Sequence, residues 1–335
     1  MVGSTGINKV NFMDMWTKQL GWVALLLSTV TSFTISAQEV VASKVQSELP
    51  HTVIRLPNVH PGRDAVYAYA KTLLAESLRV TKAQYGTFEL LVSDQETAQE
   101  RQLRSLEHNM LDVTWSVTSK ERERQFLPIR IPIMAGLFGK RALFVKAGDT
   151  RLKGVETLQD LQAFRAVLGY DWPDTKIFRA NDIPVLETTY RASFRIVSEG
   201  FADMFPRSVM EIHEEAQDDT LSRDLAIDQN LIIAYPSPIF FFVSSDNQAL
   251  ANRITEGLLT LFETGKFQAL LVANANFKQG MSLIEERTVI GIENPFLSEQ
   301  SRLALEKFLP EFSASKPLDD FEATEMVVPV QVEKQ

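Results

Sequence analysis

Apolar positions along this chain switch between two spacings. His51–Leu56, HTVIRL, alternates and is rich in β-branched residues, which predicts a strand. From Asp64 to about Ala83 the spacing becomes helical, with Ala65, Ala68, Leu73, Leu74 and Leu78 on one stripe and Gly86 beyond it. Thr87–Val92 predicts a second strand, Gln95–Glu107 a helix, and Leu111–Trp115 a buried strand. A charged stretch, Ser116–Arg124, then predicts a loop. It is followed by an extended, proline-punctuated segment, Leu127–Met134, broken at Gly136 and Gly139.

The same logic continues in a second block. Strands are expected at Arg141–Val145, Ala166–Gly169, Val185–Thr188 and Ala202–Phe205. Helices are expected over Gly154–Phe164 from a Thr157 cap, over Trp172–Ala180 with Pro173 and Asp174 in its first turn, over Tyr190–Glu199, and over Val209–Ala216. Glu211, Glu214 and Glu215 of the last are expected on a solvated face. Two apolar strands, Asn230–Ala234 and Ile239–Ser244, flank Tyr235-Pro236-Ser237-Pro238. The helices Gln248–Thr264, Phe267–Ala273 and Leu297–Phe308 close the folded part.

Alternating strands and helices imply an α/β fold. The two breaks in the pattern, near 134–143 and 225–240, imply two crossovers between two lobes. Residues 51–138 and 235–312 would make one lobe, and 139–234 an inserted second lobe. Such a layout leaves a cleft where loops of both lobes meet.

The ends of the chain differ from this core. Lys9 and Lys18 precede the short apolar run Leu20–Val30, and small residues follow to Ala37, so residues 1–37 are expected to be a cleavable signal peptide. Residues 313–335 are expected to be a flexible tail. The chain has no cysteine, which removes disulfides, thiol catalysis and a lipid-modified cysteine anchor. An exported, cysteine-free protein fits a Gram-negative periplasm. The net charge of −9 speaks against non-specific nucleic-acid binding. Four scattered histidines match no metal-site spacing, and phosphate-loop, dinucleotide and nucleophile-elbow motifs are missing, so no metal or cofactor is expected.

Four short stretches, in this order, resemble the family 3 extracellular solute-binding proteins, the periplasmic receptors of amino-acid ABC transporters. They are Asp112-Val113 with Thr118, Arg122 and Pro132; Leu158–Leu161 with Ala166–Gly169; Gly200-Phe201-Ala202-Asp203; and Leu250–Phe267 with Gly257 and Gly265. The resemblance covers about residues 51–275 and implies a type II periplasmic-binding-protein fold, with each lobe a mixed sheet flanked by helices. It implies that Arg122, with Thr118, grips a ligand carboxylate, a role that suits the two parallel donors of a guanidinium. The spacing from Thr118 to Arg122 is one residue longer than the family's. Where the family places an ammonium-binding aspartate, this chain reads Phe205-Pro206-Arg207-Ser208.

Arg207, with Ser208 beside it, together with Arg122 therefore points to an anionic, carboxylate-bearing solute. Tyr170 and Trp172 at the turn after Ala166–Gly169, and Trp115 at a strand end, are expected to line the same cleft. The implied function is a monomeric periplasmic receptor, with an ABC permease or a membrane sensor as its partner. A cyclic-acid dehydratase on the same fold is the enzyme alternative.

Overall fold

The computed structural model describes residues 49–58, 64–285 and 287–308, all within the compact unit Glu48–Gln335. The expected signal peptide and tail lie outside the described residues. Among the described residues, twelve strands run in chain order: β1 His51–Asn58, β2 Thr87–Glu96, β3 Thr114–Val117, β4 Phe126–Ile129, β5 Lys140–Lys146, β6 Ala166–Gly169, β7 Val185–Thr188, β8 Phe205–Ser208, β9 Leu225–Ile227, β10 Leu231–Ala234, β11 Ile239–Ser244 and β12 Thr288–Gly291.

Two groups of sheets result. In the first, β1 and β2 pair in parallel, and β11 lies antiparallel between β3 and β4. The backbone of Asp112 and Val113 donates to Arg55 of β1, which ties the chain entering β3 to the parallel pair. In the second, β10 is parallel to β12 and antiparallel to β5, and β8 and β9 also pair antiparallel with β5. The parallel pair β6–β7 joins this group through a bridge between Ala166 and Met204.

The most apolar strands are central because both of their faces are covered. Along β11, Phe240 and Phe242 pack with Leu103, Leu106 and Ala304 of two helices, whereas Ile239, Phe241 and Val243 join the opposite cluster. Along β5, Leu143 and Val145 pack with Leu161, Ile177 and Phe178, while Phe144 meets Phe194 and Phe205 on the other face. Helices Asp64–Val80 and Gln248–Glu263 cover the first group and cross at Gly257, where a Cβ would sit 2.1 Å from the carbonyl oxygen of Ser77.

Most expected helices form where their caps stand. Thr157 accepts from the Asp160 amide at 3.2 Å, and the Asp160 side chain accepts from the Thr157 amide at 2.9 Å, a reciprocal capping box. Asn247 caps the long helix by accepting from Leu250.

Four expectations change. The charged stretch after β3 is not a loop throughout: Ser119 accepts from the Arg122 amide and starts the helix Lys120–Gln125. The strand expected at Leu111–Trp115 starts only at Thr114. The strand expected at Ala202–Phe205 is β8, three residues later, because Arg165 holds the chain bent at Asp203 through its amide at 2.7 Å and its carbonyl at 2.8 Å. Pro206 fits inside β8, which pairs with β5 alone among the strands. Finally, the helix Ala275–Glu285 and β12 were not anticipated, and with them the chain crosses between the sheet groups three times.

The three crossings touch one another. Gly139 approaches the second crossing so closely that a Cβ would lie 2.0 Å from the Tyr235 carbonyl, and the Tyr235 amide donates to Gly139 at 3.1 Å. Ile292 donates to Ala234 at 2.8 Å and Asn294 Nδ2 to Pro236 at 2.7 Å, which docks the third crossing on the second.

Candidate functional site

Between the two groups lies a cavity of about 40 Å³, room for a few ordered waters. Tyr67, Gln99, Trp115 and Ser116 line it from the first group. Phe138 of the first crossing and Glu211, just after β8, line it from the other side. The walls are aromatic: the Tyr67 and Trp115 rings lie 5.2 Å apart, and Trp115 meets Phe241 edge-on at 6.2 Å.

The acid in this cavity belongs to a buried charge cluster. Arg207 donates to both oxygens of Glu215, from Nε at 3.0 and 2.8 Å and from Nη2 at 2.6 Å, and its Nη2 lies 3.0 Å from Glu211 Oε2. Glu215 also accepts from Tyr190 Oη at 3.0 Å. The guanidinium stands over the rings of Trp172 at 4.8 Å and Phe205 at 5.3 Å. Burial opposes its charge, but Glu211 and Glu215 outweigh that and hold its pKa above the usual value. Glu211 is the member of this cluster that lines the cavity.

A second network sits near the crossings. Arg141 Nε donates to Tyr235 Oη at 2.8 Å, and Arg141 and Tyr235 both bond to Asp174. Burial pushes the Tyr235 hydroxyl well above its usual pKa, so it stays a neutral donor. Arg141 also lies over the Phe138 ring at 4.7 Å, which fixes that wall of the cavity.

No protein-family model matches the chain, nor does any curated protein. Solved structures do. An arginine transport-system periplasmic binding protein from Legionella pneumophila aligns at a TM-score of 0.51 and 12% identity, over 68% of this chain and 99% of that one. An ancestral arginine-binding protein bound to glutamine aligns at a TM-score of 0.50 and 13% identity, over 67% of this chain and 98% of that one. The fold is that of the type II periplasmic binding proteins. The cavity lies between the two sheet groups.

Within this binding-protein fold the expected residues scatter. Trp115 lines the cavity. Arg122 lies one layer behind the wall: its Nη1 donates to Gln99 Oε1 at 3.0 Å, Ser116 Oγ at 2.6 Å and the Val117 carbonyl at 2.8 Å. Its Nη2 reaches the Asp171 carbonyl on the other lobe at 3.3 Å and lies 3.8 Å from Glu100. Burial lowers the Arg122 pKa, against the nearby Glu100, Asp171 and Asp174 charges that favour the cation.

Thr118 does not face the cavity as a free hydroxyl. It donates to Glu123 at 2.6 Å, and that carboxylate also receives Ser298, Ser301 and Arg130. Ser208 accepts from the Met210 amide at 3.1 Å and serves the turn after β8. Trp172 is half-buried, folded over Gly169 and stacked on Phe205 at 6.1 Å. Tyr170 is 59% exposed and is not a cavity residue.

The expected pair of open arginines is therefore corrected. Arg207 is 1% exposed and already neutralised by two carboxylates. Those carboxylates, expected on a solvated face, are 2% exposed at Glu211 and 0% at Glu215. The three-residue shift of β8 explains the misplacement. Three residues after this strand stands Glu211, which lines the cavity, whereas Arg207 lies within the strand. Arg207 lies in β8 and Glu215 in the helix Ile212–Ala216, so helical spacing in the sequence does not mark them as partners.

Proposed function

We propose that the protein is a periplasmic solute receptor whose ligand places a positively charged nitrogen beside Glu211, between the aromatic walls of the interlobe cavity. The observation that carries this is the buried acid Glu211 among the aromatic residues that line the cavity. A cationic group suits a buried carboxylate, and the aromatic rings of Trp115, Tyr67 and Phe138 in the lining suit it further. The anionic solute suggested by two arginines loses its support, because both guanidinium groups are engaged by the protein's own acceptors.

The cavity in this closed arrangement admits little beyond a head group, so entry requires the lobes to part and re-close on the ligand. No covalent step is proposed. Residues 1–37 would direct export, the lobes would comprise 51–138 with 235–312 and the inserted 139–234, with β12 added to the latter, and the closed monomer would dock on an ABC permease. The test is a thermal-shift screen of the full chain against small cations, zwitterions and anions. Cationic solutes should raise Tm, and Glu211→Gln should abolish the shift. Stabilisation by anions alone would overturn the charge assignment.

A further inference from the structure

We infer that the segment Glu293–Phe296 is a pivot strap: it holds the C-terminal end of helix Pro173–Ala180 to helix Lys120–Gln125, so the cleft opens by swinging the other end of helix Pro173–Ala180 away. The inference rests on the receptor reading above, which needs the lobes to part, and says where they stay joined.

The strap belongs to the third crossing, and each of its ends is tied to a different sheet group. At one end Asn181, which closes helix Pro173–Ala180, pairs with Glu293 in both directions, as a neighbouring strand would. Its Nδ2 donates to the Glu293 carbonyl at 2.8 Å, and its Oδ1 accepts from the Glu293 amide at 3.0 Å. The same Nδ2 donates to the Ile177 carbonyl at 2.8 Å, and the Asn181 carbonyl accepts from Gln162 at 3.0 Å, so this residue is fixed to its own helix. At the other end Lys120, the first residue of helix Lys120–Gln125, donates from its amide to the Phe296 carbonyl at 2.9 Å and from Nζ to the Pro295 carbonyl at 2.8 Å. The chain beyond is anchored to the same helix, because Ser298 and Ser301 both donate to Glu123 at 2.7 Å.

Glu293 and Phe296 are joined by three peptide steps, which caps their Cα separation at about 11 Å. The segment is folded tighter than that. Asn294 Oδ1 accepts from the Phe296 amide at 3.0 Å, a turn closed by a side chain, and Pro295 stiffens the residue between. Asn294 Nδ2 also holds the second crossing through the Pro236 carbonyl at 2.7 Å. The two helix ends therefore cannot part while these bonds stand.

The other contacts between the helices fan out from this point. Lys120 reaches Asn181 through the strap, Glu121 pairs with Lys176 in mid-helix, and Arg122 reaches the Asp171 carbonyl before the helix begins. Freeing either end of the strap breaks two hydrogen bonds, whereas the contacts further out are an exposed ion pair and one long bond of 3.3 Å. The outer contacts give way first, and helix Pro173–Ala180 turns about Asn181. A helix of 8 residues is about 12 Å long, so a turn of about 30° carries its far end about 6 Å.

The chain has no cysteine, so pairs of spin labels can be placed without background. Arg124→Cys with Ala180→Cys reports the strap end, and Arg124→Cys with Tyr170→Cys the far end. Distances are read by double electron–electron resonance on the full chain, with and without Lys176→Glu. The 124–170 distribution should gain a component about 6 Å longer, raised further by Lys176→Glu, while the 124–180 distribution stays single. Both distances lengthening together, or 124–180 alone, overturns the pivot and leaves an opening receptor standing. No change in either pair overturns both readings. Asn181→Ala, checked for native circular dichroism, should lengthen the 124–180 distance, and an unchanged distance would overturn the assignment of Asn181. The two label pairs without that substitution decide the pivot even where the variant fails to fold.

Discussion

Glu211 and Glu215 stand four residues apart with one arginine between them, and neither carboxylate has solvent to fall back on. Deleting the cation removes its ion pairs to two buried carboxylates. Arg207→Met should therefore cost about 3–5 kcal/mol in urea unfolding at neutral pH. Lys140, buried at the start of β5, gives a pH signature. Burial pushes its ammonium down to about 8 from the usual 10.5, so the unfolded chain binds more protons between those values. In that window stability should rise with pH relative to Lys140→Met, measured as urea midpoints. A flat difference between the two proteins would refute this. These residues also mark the limit of the sequence reading. Arg207 and Trp115 stood out at strand ends and Arg122 through its motif in a charged stretch, but one-dimensional spacing does not say which acid neutralises which cation. Glu211 and Glu215 look alike whether they face water or a guanidinium.

At the scale of elements, apolar runs and capped helices were legible because burial on one or two faces imprints a period. β6, β7 and β11 have the bounds expected from the sequence. β8 and β12 carry weak signals, FPRS and TVIG, and form because a neighbouring strand supplies hydrogen bonds. Gly257 shows the same dependence on a neighbour. Nothing in its own helix requires glycine, but Gly257→Ala would drive a methyl into the Ser77 carbonyl. We expect a loss of about 1–3 kcal/mol, read as a lower urea midpoint. A neutral result would mean that the two helices slide apart at little cost. Glu76 links the same helix to Lys266 and Arg79, whose hydrogen bonds hold its carboxyl down to about 2 from 4.5. Glu76→Gln should cost less than about 1 kcal/mol at pH 7, since the group is partly exposed. That cost should vanish as pH falls from 4.5 towards 2, where the native carboxylate gains its proton too.

Across the whole molecule, the closed cleft is held by contacts between helix Lys120–Gln125 and the segment around helix Pro173–Ala180. Arg122 reaches the Asp171 carbonyl, and Glu121 pairs with Lys176 at 2.8 Å. The pair is solvent-exposed and worth under about 1 kcal/mol, enough to shift a balanced equilibrium severalfold. Lys176→Glu should enlarge the radius of gyration of the unliganded protein in X-ray scattering, and adding Glu121→Lys should restore it. An unchanged radius in the single variant would show that the crossings alone hold the cleft shut. The third of those crossings has a consequence for how the chain acquires its shape. β10 receives β12 only after residues 288–291 exist. A ribosome making this protein therefore exposes an unfilled β10 edge for the whole of helices Gln248–Glu263, Lys266–Ala273 and Ala275–Glu285. Such an open edge invites pairing with another chain. Nascent chains halted before residue 288 should accordingly be the aggregation-prone and chaperone-bound species.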